Sequence, residues 1–280
     1  MKISKPLVSV DWLKKHLDDQ NIIILDATLP KVTANKSENL DTEKLQIKGA
    51  RFFDIKNVFS KADAPFPNTV LSPDDFQVKT QNLGINSNSC IVVYDDLGIY
   101  SSPRVWWLFK LMGFQNITIL NGGLPEWKSK KYPIEKPNNG QFEIGDFKAS
   151  YRPEKIRFTK DILSSINDKN SLVADARSKG RFLGTSPEPR KGVKSGHIPN
   201  SVSLPYSDII EEGKMISEEK LKTVFEQVNS DKKEFIFSCG TGITACVLAL
   251  GAELLGYKNY AVYDGSWTEW GSINDLPIEI

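Results

Sequence analysis

Apolar residues in this chain fall into short, nearly unbroken runs separated by polar turns. Ile22–Leu25, Ile91–Tyr94, Ile117–Leu120, Leu172–Ala174, Phe235–Phe237 and Tyr260–Tyr263 are runs of this kind. Between them lie helix-length apolar segments closed by glycine: Ser102–Met112 before Gly113, and Thr244–Leu255 before Gly256. Strands that are apolar at every position are buried on both faces, and strands that alternate with helices form parallel sheets. The pattern therefore predicts an α/β fold with a central, mostly parallel sheet flanked by helices. Each closing glycine reads as a left-handed C-cap.

The pattern occurs twice. At an offset of 143, Gly113 falls on Gly256, Phe114 on Tyr257, Asn116 on Asn259, Gly122 on Gly265, and Glu126-Trp127 on Glu269-Trp270. ILDA (24–27) matches VADA (173–176) at an offset of 149, and QIKGARFFD (46–54) matches HIPNSVSLP (197–205) near 151. Small changes of offset are differences in loop length, so the chain reads as a duplicated domain. Residues 136–152, KPNNGQFEIGDFKASYR, are polar and turn-rich, as a connector is. The expected organisation is a first domain over 1–135, a linker over 136–152 and a second domain over 153–280.

Composition narrows the function. With 36 Lys plus Arg against 35 Asp plus Glu, the net charge is +1, and 40% of the 280 residues are hydrophobic. Disorder is excluded by that balance, and no global basic excess exists to hold nucleic acid or an anionic membrane. No apolar stretch is long enough to span a bilayer, and MKISKPLVSVDWLKKHL has no signal-like core. Cys90, Cys239 and Cys246 do not make a disulfide scaffold, so the expected compartment is the reducing cytosol. The two histidines, His16 and His197, stand in different halves, and no metal site is expected. No phosphate-binding glycine motif is present, and no cofactor is expected.

The sharpest chemical feature is Phe235-Ile-Phe-Ser-Cys239-Gly-Thr-Gly-Ile-Thr-Ala245. A buried strand delivers Cys239 to its end, and Gly240 and Gly242 allow a tight loop before a helix. Backbone N–H groups from Gly240 through Thr241, Gly242 and Ile243 to Thr244 are placed to ring the sulfur as an anion nest, and the helix N-terminus adds a partial positive charge. Both favour the thiolate, which is the nucleophile. Thr241 and Thr244 contribute hydroxyls. At the offset of 143, Cys239 falls on Asp96, which cannot act as a sulfur nucleophile, so the first half is expected to be non-catalytic. Cys90 and Cys246 read as packing residues.

A second feature is cationic. Residues 177–194 hold six cationic side chains (Arg177, Lys179, Arg181, Arg190, Lys191, Lys194) and one anionic, Glu188, a local balance of +5. Arg181 and Arg190 lie in a loop rich in Gly and Pro after a parallel strand, where ligand crevices form. Two guanidinium forks suit a small carboxylate. His197, in Gly-His-Ile-Pro, reads as a residue that ties this loop.

Together these residues resemble the tandem-rhodanese sulfurtransferases. The likeness runs through VSVDWL, GARFFDI, SSPRVWWLFKLMG, NGGLPEW, DARSKGRFLGTSPEPR, GHIP, CGTGITA and YDGSWTEWG. Mercaptopyruvate-using members carry CG[ST]GxT, matched by Cys239 to Thr244. Thiosulfate-using members carry cations after the Cys, and phosphatase relatives need an Arg where Ala245 stands. The resemblance implies a Cys239 persulfide that moves sulfur from 3-mercaptopyruvate to a thiol or cyanide, releasing pyruvate. It implies Arg181 and Arg190 for the substrate carboxylate and Thr241 for the loop hydroxyl. Partners would be a small anionic donor and a small thiol or thioredoxin-like acceptor. Thiosulfate transfer, or a non-catalytic binding module, are the alternatives. One departure is Gln46, where the family has a His assigned to a relay with the loop hydroxyl; glutamine cannot transfer a proton as imidazole does. The stretch PFPNTVLSP (65–73) also lacks the family's His.

Overall fold

The computed structural model describes residues 1–3, 5–31, 44–137, 140–229 and 234–280. Within the expected linker, Asn138 and Asn139 lie outside the described residues. The chain folds as two compact units. Unit 1 comprises Met1–Phe59, Leu71–Tyr151 and Glu212–Lys214, and unit 2 comprises Ser60–Val70, Arg152–Glu211 and Met215–Ile280.

Unit 1 contains β1 (Leu7–Val8), β2 (Ile22–Asp26), β3 (Gln46–Ile47), β4 (Arg51–Phe52), β5 (Cys90–Tyr94), β6 (Ile117–Leu120) and β7 (Ile134–Glu135). Five of these form one sheet in the order β1-β6-β5-β2-β4, every pair parallel. β3 and β7 make a short antiparallel ribbon. The helices are α1 (Val10–Lys15), α2 (Pro73–Asn82), α3 (Ser102–Leu111) and α4 (Gly123–Ser129). Leu13, Ile24, Val92, Leu120 and Trp127 fill the core on one face of the sheet. Phe53, Phe59, Phe76 and Phe109 make a ring cluster of their own.

Unit 2 repeats the plan with β8 (Ile156–Arg157), β9 (Ser171–Asp175), β10 (Val202–Ser203), β11 (Ile210–Glu211), β13 (Glu234–Ser238) and β14 (Tyr260–Tyr263), while β12 (Lys214–Met215) falls at the boundary, with only Met215 in unit 2. Its sheet runs β10-β9-β13-β14-β8, again parallel throughout. The helices are α5 (Thr159–Ser165), α6 (Lys179–Phe182), α7 (Glu218–Val228), α8 (Ala245–Leu254) and α9 (Ser266–Trp270). Val173, Ile236, Tyr263, Trp267 and Trp270 share its core.

All six expected strands are present, four of them longer by one residue at one or both ends. Their apolar runs are buried because helices cover both faces of each sheet. The long apolar segments are α3 and α8, and Gly113 and Gly256 after them both take φ +80°, the left-handed cap conformation that glycine adopts without a Cβ penalty. Residues 140–151 have no regular structure but are fastened to unit 1. Gly145 N donates to Gln81 O at 2.9 Å, Phe147 N to Ile85 O at 3.1 Å, and Ser150 N to Met112 O at 2.8 Å. Phe147 is fully buried among Phe76, Phe109 and Phe114. Division in space thus differs from division along the chain: Ser60–Val70 belongs with unit 2 and Glu212–Lys214 with unit 1.

Candidate active site

β13 is the central strand of unit 2 and hands over directly to Cys239, whose side chain is buried. The loop from Gly240 to Thr244 then turns into α8, with Gly242 at φ +75°. The first turn of α9 holds this loop. Trp267 N donates to Cys239 O and Thr268 N to Gly240 O, both at 2.9 Å. Ser266 Oγ accepts from Cys239 N at 3.2 Å and from Gly242 N at 3.1 Å, and donates to Tyr263 O at 2.8 Å. It lies 4.0 Å from Cys239 Sγ. One buried hydroxyl therefore braces both sides of the loop. Sequence reasoning missed Ser266, although the repeat held the signal: Ser266 in YDGSWTEW stands opposite Gly123 in LNGGLPEW.

Thr241 is buried, and its Oγ1 accepts a hydrogen bond from Asn68 Nδ2 at 3.0 Å. Asn68 sits in the left-handed region at φ +63°, and its neighbour Val70 is held by N–H donation to Asp264 Oδ2 at 3.0 Å. The resemblance put the relay position at Gln46. The structure gives Gln46 other work: its Nε2 donates to Ala50 O at 2.9 Å and to Glu135 Oε1 at 3.0 Å, within unit 1. The side chain that meets the loop hydroxyl is Asn68, from the stretch singled out for lacking histidine. An amide nitrogen donates and does not take up a proton. With Asn68 as donor, the hydrogen of Thr241 is left to point elsewhere.

Arg181, on α6, reaches the loop: its Nη2 lies 3.4 Å from the point a Cβ on Gly240 would occupy. Arg190 is half-buried in a bend two residues beyond Glu188. His197 Nδ1 lies 2.9 Å from Phe182 O and its ring stacks on Phe182 at 3.8 Å, which ties the loop to the end of α6. Thr244 forms the N-cap position of α8. Cys246, within α8, donates from Sγ to Gly242 O at 3.2 Å. Burial pushes the Cys90 thiol up to about 11, as befits a packing residue.

The internal counterpart of Cys239 needs correction. β2 pairs Asp26 with Tyr94, and β9 pairs Asp175 with Ser238. Ala27 N donates to Tyr94 O and Ala176 N to Ser238 O, both at 2.8 Å. The next residue in unit 1 is Asp95, and Asp95 rather than Asp96 stands where Cys239 stands. The loop before α3 is one residue longer than the loop before α8, which restores the offset of 143 at the helices.

The Rhodanese-like domain family matches residues 9–130 and 159–273. The 3-mercaptopyruvate sulfurtransferase of Escherichia coli K12 is 35% identical over 278 residues, covering 97% of each chain. The thiosulfate sulfurtransferase of Bos taurus is also 35% identical, over 95% of this chain and 92% of its own. Among solved structures, the crystal structure of SseA from Escherichia coli superposes with a TM-score of 0.82 at 30% identity, over 94% of this chain and 99% of that one. The sulfur transferase subunit of yeast mitochondrial complex I gives a TM-score of 0.84 at 34% identity, over 99% and 100%. Two parallel sheets of one strand order, a cysteine at the end of a central strand and these matches lead to one conclusion: the chain belongs to the rhodanese family.

Proposed function

We propose that this protein is a sulfurtransferase that takes sulfur from 3-mercaptopyruvate onto Cys239 and passes it to a thiol or to cyanide. The observation that carries the reading is the loop: a buried cysteine at the strand end, followed by Gly-Thr-Gly-Ile-Thr with no cation, leading into Ala245. Relatives named for either donor stand at the same 35% identity, so likeness alone does not choose the donor. The loop does, because a doubly charged inorganic donor calls for cations in it.

In the first stage the Cys239 thiolate attacks the sulfur of 3-mercaptopyruvate. The carbon–sulfur bond breaks, its electron pair stays on carbon, and the donor's thiol proton ends on that carbon, giving pyruvate and an enzyme persulfide. The backbone N–H groups of Gly240, Thr241, Ile243 and Thr244, with the start of α8, stabilise the outer, negative sulfur by preorganised electrostatics, while the Gly242 N–H is taken by Ser266 Oγ. Thr241, oriented by Asn68, directs its hydroxyl hydrogen to the substrate. Arg181 and Arg190 hold the carboxylate. In the second stage an acceptor thiol takes the outer sulfur and regenerates the Cys239 thiolate.

In this reading residues 153–280 carry the nucleophile and the anion site, 1–135 contribute Asn68 but no nucleophile, and 136–152 connect them. Among the described residues no helix is long and apolar enough to cross a membrane. A thiol-dependent cycle needs a reducing compartment, for which the cytosol is the expected place. Incubation with 3-mercaptopyruvate and, separately, thiosulfate tests the reading through pyruvate release and a mass gain on Cys239. Sulfur loading from thiosulfate alone would overturn the choice of donor, and loading from neither would overturn the activity.

A further inference from the structure

The reaction above requires an anion site whose arginine is aimed and whose charge is set, and this inference rests on that reading. Arg181 is the last and partly exposed member of a row of alternating charges. Asp175 and Arg177 begin it: Arg177 Nε donates to Asp175 Oδ2 at 2.9 Å and Nη2 donates to the same oxygen at 2.7 Å. Arg177 Nη2 also donates to Gly196 O at 2.8 Å, and the guanidinium lies 4.3 Å from the centre of the Trp267 ring. Burial alone would lower the pKa of Arg177, but Asp175 and then Glu188 outweigh it and hold it above its ordinary value.

Glu188 is the hinge of the row. Its side chain is only 4% exposed, and Oε1 accepts from Arg177 Nη1 at 2.7 Å and from Arg181 Nε at 3.1 Å. Its other oxygen accepts from Arg181 Nη2. A carboxylate that grips Nε and Nη2 together fixes the plane of a guanidinium. It leaves Nη1 and the far side of Nη2 as the edge next to the reactive loop, 3.9 and 3.4 Å from the Cβ point on Gly240. The four charges cancel. Arg181 therefore offers oriented N–H donors from a row with no net positive charge, which suits a single carboxylate better than a dianion.

We propose that Glu188 is a positioning residue that aims Arg181 at the substrate carboxylate and, by cancelling charge, tunes the site towards monoanionic donors. A purely structural clamp would affect every donor alike. A charge-setting one affects donors according to their charge.

The test uses the full-length protein as wild type, Glu188→Gln and Glu188→Asp. Steady-state rates are measured with 3-mercaptopyruvate and with thiosulfate, cyanide being the acceptor. Protection of Cys239 from iodoacetamide by pyruvate and by sulfate is measured alongside and needs no turnover. In Glu188→Gln the ratio of kcat/KM for thiosulfate to that for 3-mercaptopyruvate should rise about tenfold, and sulfate should protect about tenfold more tightly, the scale of one unit charge at a partly buried site. Glu188→Asp keeps the charge but spoils the fork; it should raise KM for 3-mercaptopyruvate while the donor ratio stays within about twofold. Equal losses for both donors in Glu188→Gln, with sulfate protection unchanged, would overturn the proposal. Should that variant fail to fold, the wild-type protein decides: pyruvate should protect more tightly than sulfate, and the reverse order overturns the proposal. Failure of both donors in the wild-type protein would overturn the sulfurtransferase reading, while the protection arm still judges Glu188.

Discussion

The two units carry the same loop in two chemical states. In each, the central strand ends, a loop turns, and a largely buried helix begins. In unit 1 the first loop residue is Asp95, and it is completely buried. Leu97 N donates to its Oδ1 at 3.0 Å; Tyr100 N, Ser101 N and Ser102 N donate to its Oδ2 at 2.9, 3.0 and 2.8 Å, and Ser102 Oγ adds a fifth bond at 2.7 Å. The loop of unit 1 is thus a cradle for a carboxylate, and Asp95 fills it. In unit 2 the same strand position is Cys239, and in the proposed reaction the negative charge there is first its thiolate and then its persulfide. The two loops differ by one residue of length and, at the strand end, by a carboxylate against a thiol.

The bracing residue shows the same split. Ser266 and Gly123 have matching backbone, φ +50° and +51°. A Cβ on Gly123 would lie 2.4 Å from Asp95 O and 2.7 Å from Gly98 O, so the longer loop of unit 1 admits only glycine there. The shorter loop of unit 2 leaves room for Ser266, which repays a strained backbone angle by holding Cys239 N and Gly242 N.

The largest effect expected from breaking this comparison is on stability. Asp95→Ala strands five donors, three of them in fully buried bonds, and urea denaturation should show a loss of about 3–5 kcal/mol. Added sulfate should recover part of it by filling the cradle. A loss under about 1 kcal/mol would mean that the cradle is not an anion site. Ser266→Gly makes unit 2 like unit 1 at the brace. Sulfur transfer should fall by roughly 10–100-fold, the cost of two hydrogen bonds at the reacting loop, with the melting temperature little changed because a strained angle is relieved.

A smaller effect is expected at Asn68. Asn68→Asp replaces the N–H donor with an acceptor, so the Thr241 hydroxyl must turn its hydrogen inward, and kcat should fall by about tenfold. The wild-type protein should show no ionisation from this pair in its pH–rate profile, since neither an amide nor an alcohol titrates in the working range. The smallest effect belongs to Asp96. Desolvation, with Asp95 and Asp26 close by, pushes Asp96 up to about 6 from an ordinary 3.8. A carboxyl raised in this way contributes stability below its ordinary value and loses it as pH rises through about 6. Asp96→Asn should therefore raise the melting temperature relative to wild type at pH 7 and not at pH 4. The gain should stay under about 1 kcal/mol, because the side chain reaches solvent.

The long buried strands and both apolar helices were legible because their period and length admit one reading each. Cys239 and its glycines were legible because strand–loop–helix geometry forces neighbours in sequence to be neighbours in space, and Arg181 because loops after parallel strands gather at one end of a sheet. Asn68 and Ser266 were not, since each meets the loop across a long stretch of chain. Asn68 comes from a segment of the first half that folds into unit 2, which no local pattern announces. The Asp96 assignment failed for a related reason: a fixed offset cannot see one inserted residue, whereas strand register can.

The central claim is that unit 2 carries sulfur on Cys239 while unit 1, with Asp95 in its place, carries none. Intact and peptide mass spectrometry after incubation with 3-mercaptopyruvate tests it directly. The account predicts a gain of one sulfur atom, about 32 Da, on the Cys239 peptide alone, matched by one pyruvate per chain and abolished in Cys239→Ser. Sulfur loading that survives Cys239→Ser, or that appears on Cys90 or Cys246 in its place, would contradict it.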